Sequence, residues 1–233
     1  MSEEMEKVRG IQELPIFPLP LVMLPWEFVQ LHIFEQKYRS MLADILEDKR
    51  MFGISYFDPT EGLDNRPEPG SIGCVAEVKE VQELPDGRSN ILTVGVIRYR
   101  ILDYLATDNE YLVADVGFFE DEEDSSEETL ELANALFTTF REIADTAQEM
   151  SGRKSEPAEF PMAPPDQLSF LIAAAFNLDV EEKRKLLAMT SIRDRLSFME
   201  SILEKVQTRI RETAKVNKIS RTNGHAKKKI DIE

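Results

Sequence analysis

A reaction centre in this chain would have to be built from two histidines, His32 and His225, one cysteine, Cys74, and hydroxyls such as that of Ser89. Zinc sites of the HExxH or paired CxxC type need more ligands than these, so no metal is expected. The sequence contains no GxxxxGK[ST] segment, which removes P-loop nucleotide hydrolysis. His32 lies on the polar side of an alternating stretch and reads as a surface histidine. Cys74 alternates with Ile72 and Ala76 on an apolar face and reads as a core thiol. The acidic run Asp121 to Glu128 offers oxygens but lacks the glycine that an EF-hand loop requires. Ser89 follows Pro85-Asp86-Gly87-Arg88 and is expected on an exposed hairpin flank, without the lysine or histidine base that a serine nucleophile needs. The expectation is a chain with no catalytic residue and no cofactor.

Charge narrows the partners. The formal net charge is −16, and residues 101–150 hold 15 acids against one base, Arg141. Residues 201–233 reverse this, with four acids and nine bases ending in Lys227, Lys228 and Lys229. An acidic body repels a phosphate backbone, so nucleic acid is disfavoured as a partner, although the basic tail could attract one. With one cysteine, an acidic start and no apolar run approaching 18 residues, the chain reads as a cytoplasmic protein, or one of another reducing compartment, that does not enter a membrane.

The elements follow from periodicity. From Glu13 to Glu120 the apolar period is mostly two, which indicates strands. Leu14 to Leu19, Phe28 to Phe34, Met51 to Phe57 and Tyr111 to Phe119 are four of them. Tyr38, Met41, Leu42, Ile45 and Leu46 recur at threes and fours, which puts one helix at Glu35 to Asp48. Ile72 to Val78 and Ile91 to Ile101 form a long hairpin turned by the structural residues Pro85, Asp86 and Gly87. Glu61 to Ser71 is an expected loop. Prolines at 15, 18, 20 and 25 predict an irregular edge displaying Trp26. Beyond the acidic run the period becomes helical: Ser125 and Glu128 form a capping box, and Leu130, Ala133, Phe137, Phe140, Ala144 and Ala147 make a stripe. Ser151 to Pro165 is a connection. Helices follow at Asp166 to Phe176, after a cap at Asp179 with Glu182, and from about Ser191 along Ile192, Leu196, Met199, Leu203, Val206 and Ile210. The fold class is α+β: a β pseudo-barrel with one inserted helix, then a bundle of about four helices. The expected divisions are a disordered 1–12, a β-rich subdomain 13–120, a solvated acidic linker and helix cap 121–128, helices 129–213, and a disordered basic tail 214–233.

The segment ELPIFPLPLVMLPWEFVQLHIFEQKYRSMLADILEDKRMFGI, Glu13 to Ile54, resembles the opening of the Lon N-terminal domain family, with its LPxFPL-like strand, Leu-Pro step and Ile-Phe-Glu before a helix. GSIGCVAEVKEVQELPDGRSNILTVGVIRYRIL, Gly70 to Leu102, is similar to that family's hairpin. The resemblance implies a PUA-like pseudo-barrel followed by helices, and substrate recognition without the ATPase or peptidase domains of Lon. One departure is Trp26, where the family commonly has a small residue.

The resulting expectation is a non-catalytic module that binds unfolded or specific protein substrates, or an adaptor for an ATP-dependent protease acting in trans. Pro25, Trp26, Phe34, Glu35, Tyr38 and Arg98 are the candidate binding residues. Each has a competing packing role: Phe34 and Tyr38 as core, Glu35 as a helix cap, Arg98 as a satisfied strand arginine. An RNA-binding PUA-like protein is the alternative, and a serine hydrolase a weaker third.

Overall fold

The computed structural model describes residues 2–58, 60, 66–151 and 162–223. Parts of the expected loop at 61–71, of the connection at 151–165 and of the tail lie outside the described residues. Six strands, β1 (Glu13–Leu19), β2 (Phe28–Ile33), β3 (Met51–Tyr56), β4 (Ile72–Glu83), β5 (Ser89–Tyr104) and β6 (Leu112–Phe119), form one mixed sheet. Its order is β2-β5-β4-β3-β1-β6, and β5 also pairs with β6, which closes five strands into a barrel with β2 appended. Among these six strands only β1 and β3 pair in parallel. Helix α2 (Gln36–Leu46) makes the connection between β2 and β3, as its apolar period predicts, with Tyr38, Met41, Leu42 and Ile45 buried.

β5 pairs with β4 on one side and with both β2 and β6 on the other because it bends. Register shifts between Cys74 and Ala76 and between Val78 and Glu80 interrupt its ladder with β4, and such irregularities sharpen local twist. Ser89–Val94 then pairs with β2, and Arg98–Tyr104 with β6. β1 is not the loose edge that its prolines predict. Its first half pairs with β6 and its second half with β3. Each half is thus laddered mainly on one side, where Pro15 and Pro18 can sit without costing a donor.

Alternation sends the two faces of the strands to two cores. Cys74, Ala76 and Val78 join a cluster that continues without a break into α2 and the C-terminal helices. Val75 faces the other cluster, with Leu14, Ile16, Tyr99 and Ile101. Burial holds the Cys74 thiol protonated, raising its pKa well above the ordinary range. Tyr99 is fully buried, and its hydroxyl shares a 2.7 Å hydrogen bond with Ser55. A Cβ at Gly53 or Gly73 would come within 2.6 Å of that ring, so the two glycines make its room.

The N-terminus departs from expectation. Residues Glu3–Lys7 form helix α1, capped by Ser2, and Val8 is buried among the second cluster. The four C-terminal helices are α3 (Glu127–Ser151), α4 (Pro165–Ala174), α5 (Val180–Ala188) and α6 (Ile192–Asn223). Asp179 and Glu182 make the expected capping box of α5. At α3 the cap lies one residue later than expected: Ser126 Oγ accepts from the Thr129 amide at 3.3 Å. The buried stripe shifts with it to Thr129, Ala133, Leu136, Phe140 and Ile143, leaving Leu130 exposed. α6 extends ten residues beyond the expected end at 213.

Candidate functional site

β2 sits at the end of the sheet order and pairs with β5 alone among the described residues. Its alternation turns Ile33 into the core and leaves Phe28, Gln30 and His32 exposed. Phe34 continues that face just past the strand. Phe28 is 65% exposed and Phe34 58%, more than any other large apolar residue described. The Phe34 ring stacks on His32, with centroids 5.9 Å apart, and His32 Nδ1 shares a 2.7 Å hydrogen bond with Asn90. An edge strand is usually blunted by lysine, proline or a covering element. Here two phenylalanines stand on it instead, six residues or about 20 Å apart along an extended chain.

Just before β2 the chain makes a tight turn at Leu24-Pro25-Trp26-Glu27. The Glu27 amide donates to the Leu24 carbonyl at 3.2 Å, and Trp26 stands third with φ of 60°. Proline second and a positive φ third is the signature of a type II turn, in which glycine normally fills the third place. Tryptophan there costs about 1–2 kcal/mol of backbone energy, so something must hold it. Trp26 N donates to the Gly95 carbonyl at 2.8 Å, Gly95 N donates to the Glu27 carbonyl at 2.9 Å, and the Glu27 carboxylate accepts from the Leu24 amide at 2.9 Å. Lys183 of α5 then pairs with Glu27. The indole is half-buried, 6.0 Å from the Phe170 ring of α4.

Behind the turn lies the seam between sheet and helices, built around one carboxylate. Asp121 accepts from Arg98 at 2.6 Å and from both terminal nitrogens of Arg195 at 2.6 Å. Arg195 is fully buried and Arg98 is 3% exposed. Arg195 also donates to Ser169 at 2.7 Å and to the Asp166 carbonyl at 2.8 Å, while Arg98 donates to the carbonyls of Leu187 and Met189. Both guanidinium groups lie over the Phe170 ring, Arg195 at 4.1 Å and Arg98 at 5.6 Å. Desolvation lowers the pKa of Arg98, with the carboxylate of Asp121 opposing that shift.

The candidate binding residues are therefore not one patch. Phe34 and Glu35 are exposed, Trp26 is half-buried, and Pro25 and Tyr38 are buried. Tyr38 packs on Phe17 at 4.0 Å. Glu35 occupies the N-cap position of α2 but makes no capping hydrogen bond, and lies 3.5 Å from Lys37. Arg98 is a clamp inside the seam, so the packing reading holds for it. The hairpin turn forms as expected, with Gly87 at φ of 80° and Arg88 paired to Asp86. Ser89 is buried, not exposed as expected, because it lies in register between Glu83 and Ile33. Its hydroxyl meets no lysine or histidine among the described residues. The acidic run is no solvated linker at its start, since Asp121 is the centre of the clamp. Arg195 and Phe28 escape a reading by pattern, although Arg195 falls three residues after Ile192, on the buried side of α6, where a charge implies a buried partner.

A family model described as the ATP-dependent protease La (LON) substrate-binding domain matches residues 13–205. The Lon protease of Brevibacillus choshinensis is 25% identical over 196 residues, which are 83% of this chain and 25% of that protein. Lon protease 1 of Hydrogenovibrio crunogenus is 27% identical over 212 residues, 91% of this chain and 25% of that protein. The chain thus spans about a quarter of the length of these curated relatives. A Lon N-terminal domain protein from Xanthomonas campestris superposes with a TM-score of 0.59 at 22% identity, covering 82% of this chain and 98% of that one. The N-terminal domain of Mycobacterium avium complex Lon protease gives 0.61 at 15% identity, with the same coverage of both chains. At these identities the likeness is one of fold. No helix among the described residues is long and apolar enough to cross a membrane.

Proposed function

The chain belongs to the family of LON substrate-binding domains, and from that premise we propose that it is a non-catalytic module that binds extended segments of unfolded or partly folded proteins. The observation that carries this reading is the outer edge of β2, with Phe28 exposed on it and Phe34 exposed just past it, on a strand that has one partner among the described residues. Backbone groups on such an edge can pair with an added strand, and alternate side chains of that strand would meet the two rings. Sequence-tolerant main-chain bonds with a few aromatic anchors suit clients that share extended conformation and little else. A role as adaptor for a separate ATP-dependent protease is the finer form of this proposal.

The test is anisotropy of labelled, reduced and carboxymethylated lactalbumin against the intact chain and its Phe28→Ser/Phe34→Ser variant. Both rings are largely in solvent, so the variant is expected to melt like the parent. Its affinity is expected to fall at least tenfold, since aromatic interface anchors are worth roughly 1–2 kcal/mol each. Equal affinity with an unchanged melt would sink the β2 reading, and no binding by either protein would sink polypeptide recognition altogether.

A further inference from the structure

A cleft of about 490 Å³ opens where the Trp26 turn, β5, the acidic run and the helices meet. Its apolar surface comes from Trp26, Val96, Ile97, Phe119, Phe170 and Ile192, contributed by both sheet and helices. Seven carboxylates and a single guanidinium, Arg98, complete the lining. Some of those carboxylates are already engaged. Asp121 is held by the two arginines, Glu122 accepts from Thr190 at 2.7 Å, Asp124 from Thr129 at 2.6 Å, and Glu120 from the Ser2 amide at 3.1 Å. Glu4, Glu123 and Asp166 have no ion-pair partner among the described residues. Burial raises the pKa of Asp166, against the backbone amides of Asp166 and Gln167 that favour its charge.

The aromatic rings show the same imbalance. Arg98 lies 4.7 Å over Phe119, and both clamp arginines lie over Phe170. Trp26, whose indole is the strongest cation–π acceptor of the three ring types, has no cation over it among the described residues. An indole beside unpaired carboxylates in a concave, partly apolar site is complementary to a cationic side chain with an aliphatic stem. We propose that this cleft receives a lysine or arginine, flanked by apolar residues, from an extended polypeptide. The inference rests on the reading that the chain binds polypeptides and narrows the client class to basic, apolar segments.

The test uses two synthetic peptides of twelve residues that share their apolar positions and lack tryptophan, one carrying three lysines and the other three glutamines in their place. Anisotropy of each is measured against the intact chain and its Glu123→Gln/Asp166→Asn variant, with emission of Trp26, the sole tryptophan, followed in parallel. The lysine peptide is expected to bind the parent roughly tenfold tighter, as one cation–π contact with added charge pairing allows. That preference should shrink in the variant and at 0.5 M salt, and Trp26 emission should change only with the lysine peptide. Binding of both peptides with equal affinity overturns the cleft proposal while leaving polypeptide recognition standing. A lysine preference that persists unchanged in the variant also overturns it. Binding of neither peptide, together with no binding of lactalbumin, overturns both.

Discussion

Asp121→Ala is expected to cost about 3–5 kcal/mol of folding stability, the range seen when one partner of a buried ion pair is removed. The reason is that Asp121 compensates two guanidinium groups at once, Arg195 at 0% and Arg98 at 3% exposure. Without it both arginines keep their carbonyl acceptors but face each other across the seam with no opposite charge. For a chain of this size that loss lowers the midpoint by roughly 6–20 °C. The triple replacement Arg98→Met/Asp121→Leu/Arg195→Met is expected to be far milder, because exchanging a whole buried charge cluster for apolar packing is often near neutral. Thermal melts of the two variants separate a clamp from a surface feature: a loss below about 1 kcal/mol in Asp121→Ala, the level of a surface ion pair, would contradict the buried clamp.

Gly95→Ala is the second large effect. A Cβ at Gly95 would stand 2.1 Å from the Leu24 carbonyl oxygen and 3.1 Å from Cys74 Sγ. The first atom belongs to the backbone of the Trp26 turn and the second to a buried side chain, so neither yields freely. Overpacking of this kind costs about 1–3 kcal/mol, and part of the strain is relieved by pushing the turn off β5. Breaking the Trp26 and Glu27 bonds to Gly95 also releases the indole from Phe170. The expected result is therefore a lower midpoint together with a red-shifted Trp26 emission in the folded protein. Unchanged emission in a destabilised variant would show that the strain is absorbed elsewhere.

Much of the scaffold was legible because its signals are local. The alternation of Val29, Leu31 and Ile33, the three-and-four spacing from Tyr38 to Ile45, the Pro-Asp-Gly reversal and the Asp179 cap each involve residues within one strand, one helix or one turn. The stripe of α3 was off by a fraction of a turn because two apolar series share Ala133 and Phe140. Thr129 decides between them, since Asp124 accepts its hydroxyl hydrogen at 2.6 Å and lets it be buried. The site was less legible. Whether a strand is central or at an edge depends on topology, so Phe28 looked like any alternating residue, and β1 with its prolines looked more exposed than it is. Asp121 and Arg195 are 74 positions apart, and an acid inside a run of acids carries no local mark of its buried partner. Trp26 has Phe170 and Gly95 as neighbours, because the turn folds it towards the helices.

Hydrogen exchange of the intact chain, with and without saturating reduced and carboxymethylated lactalbumin, tests polypeptide capture at β2 most directly, because an added strand must shield unpaired backbone amides. Slower exchange across residues 28–34 on adding the unfolded protein, lost in Phe28→Ser/Phe34→Ser, is the predicted result. Binding accompanied by slowing only within α3 to α6, with 28–34 unchanged, would contradict it.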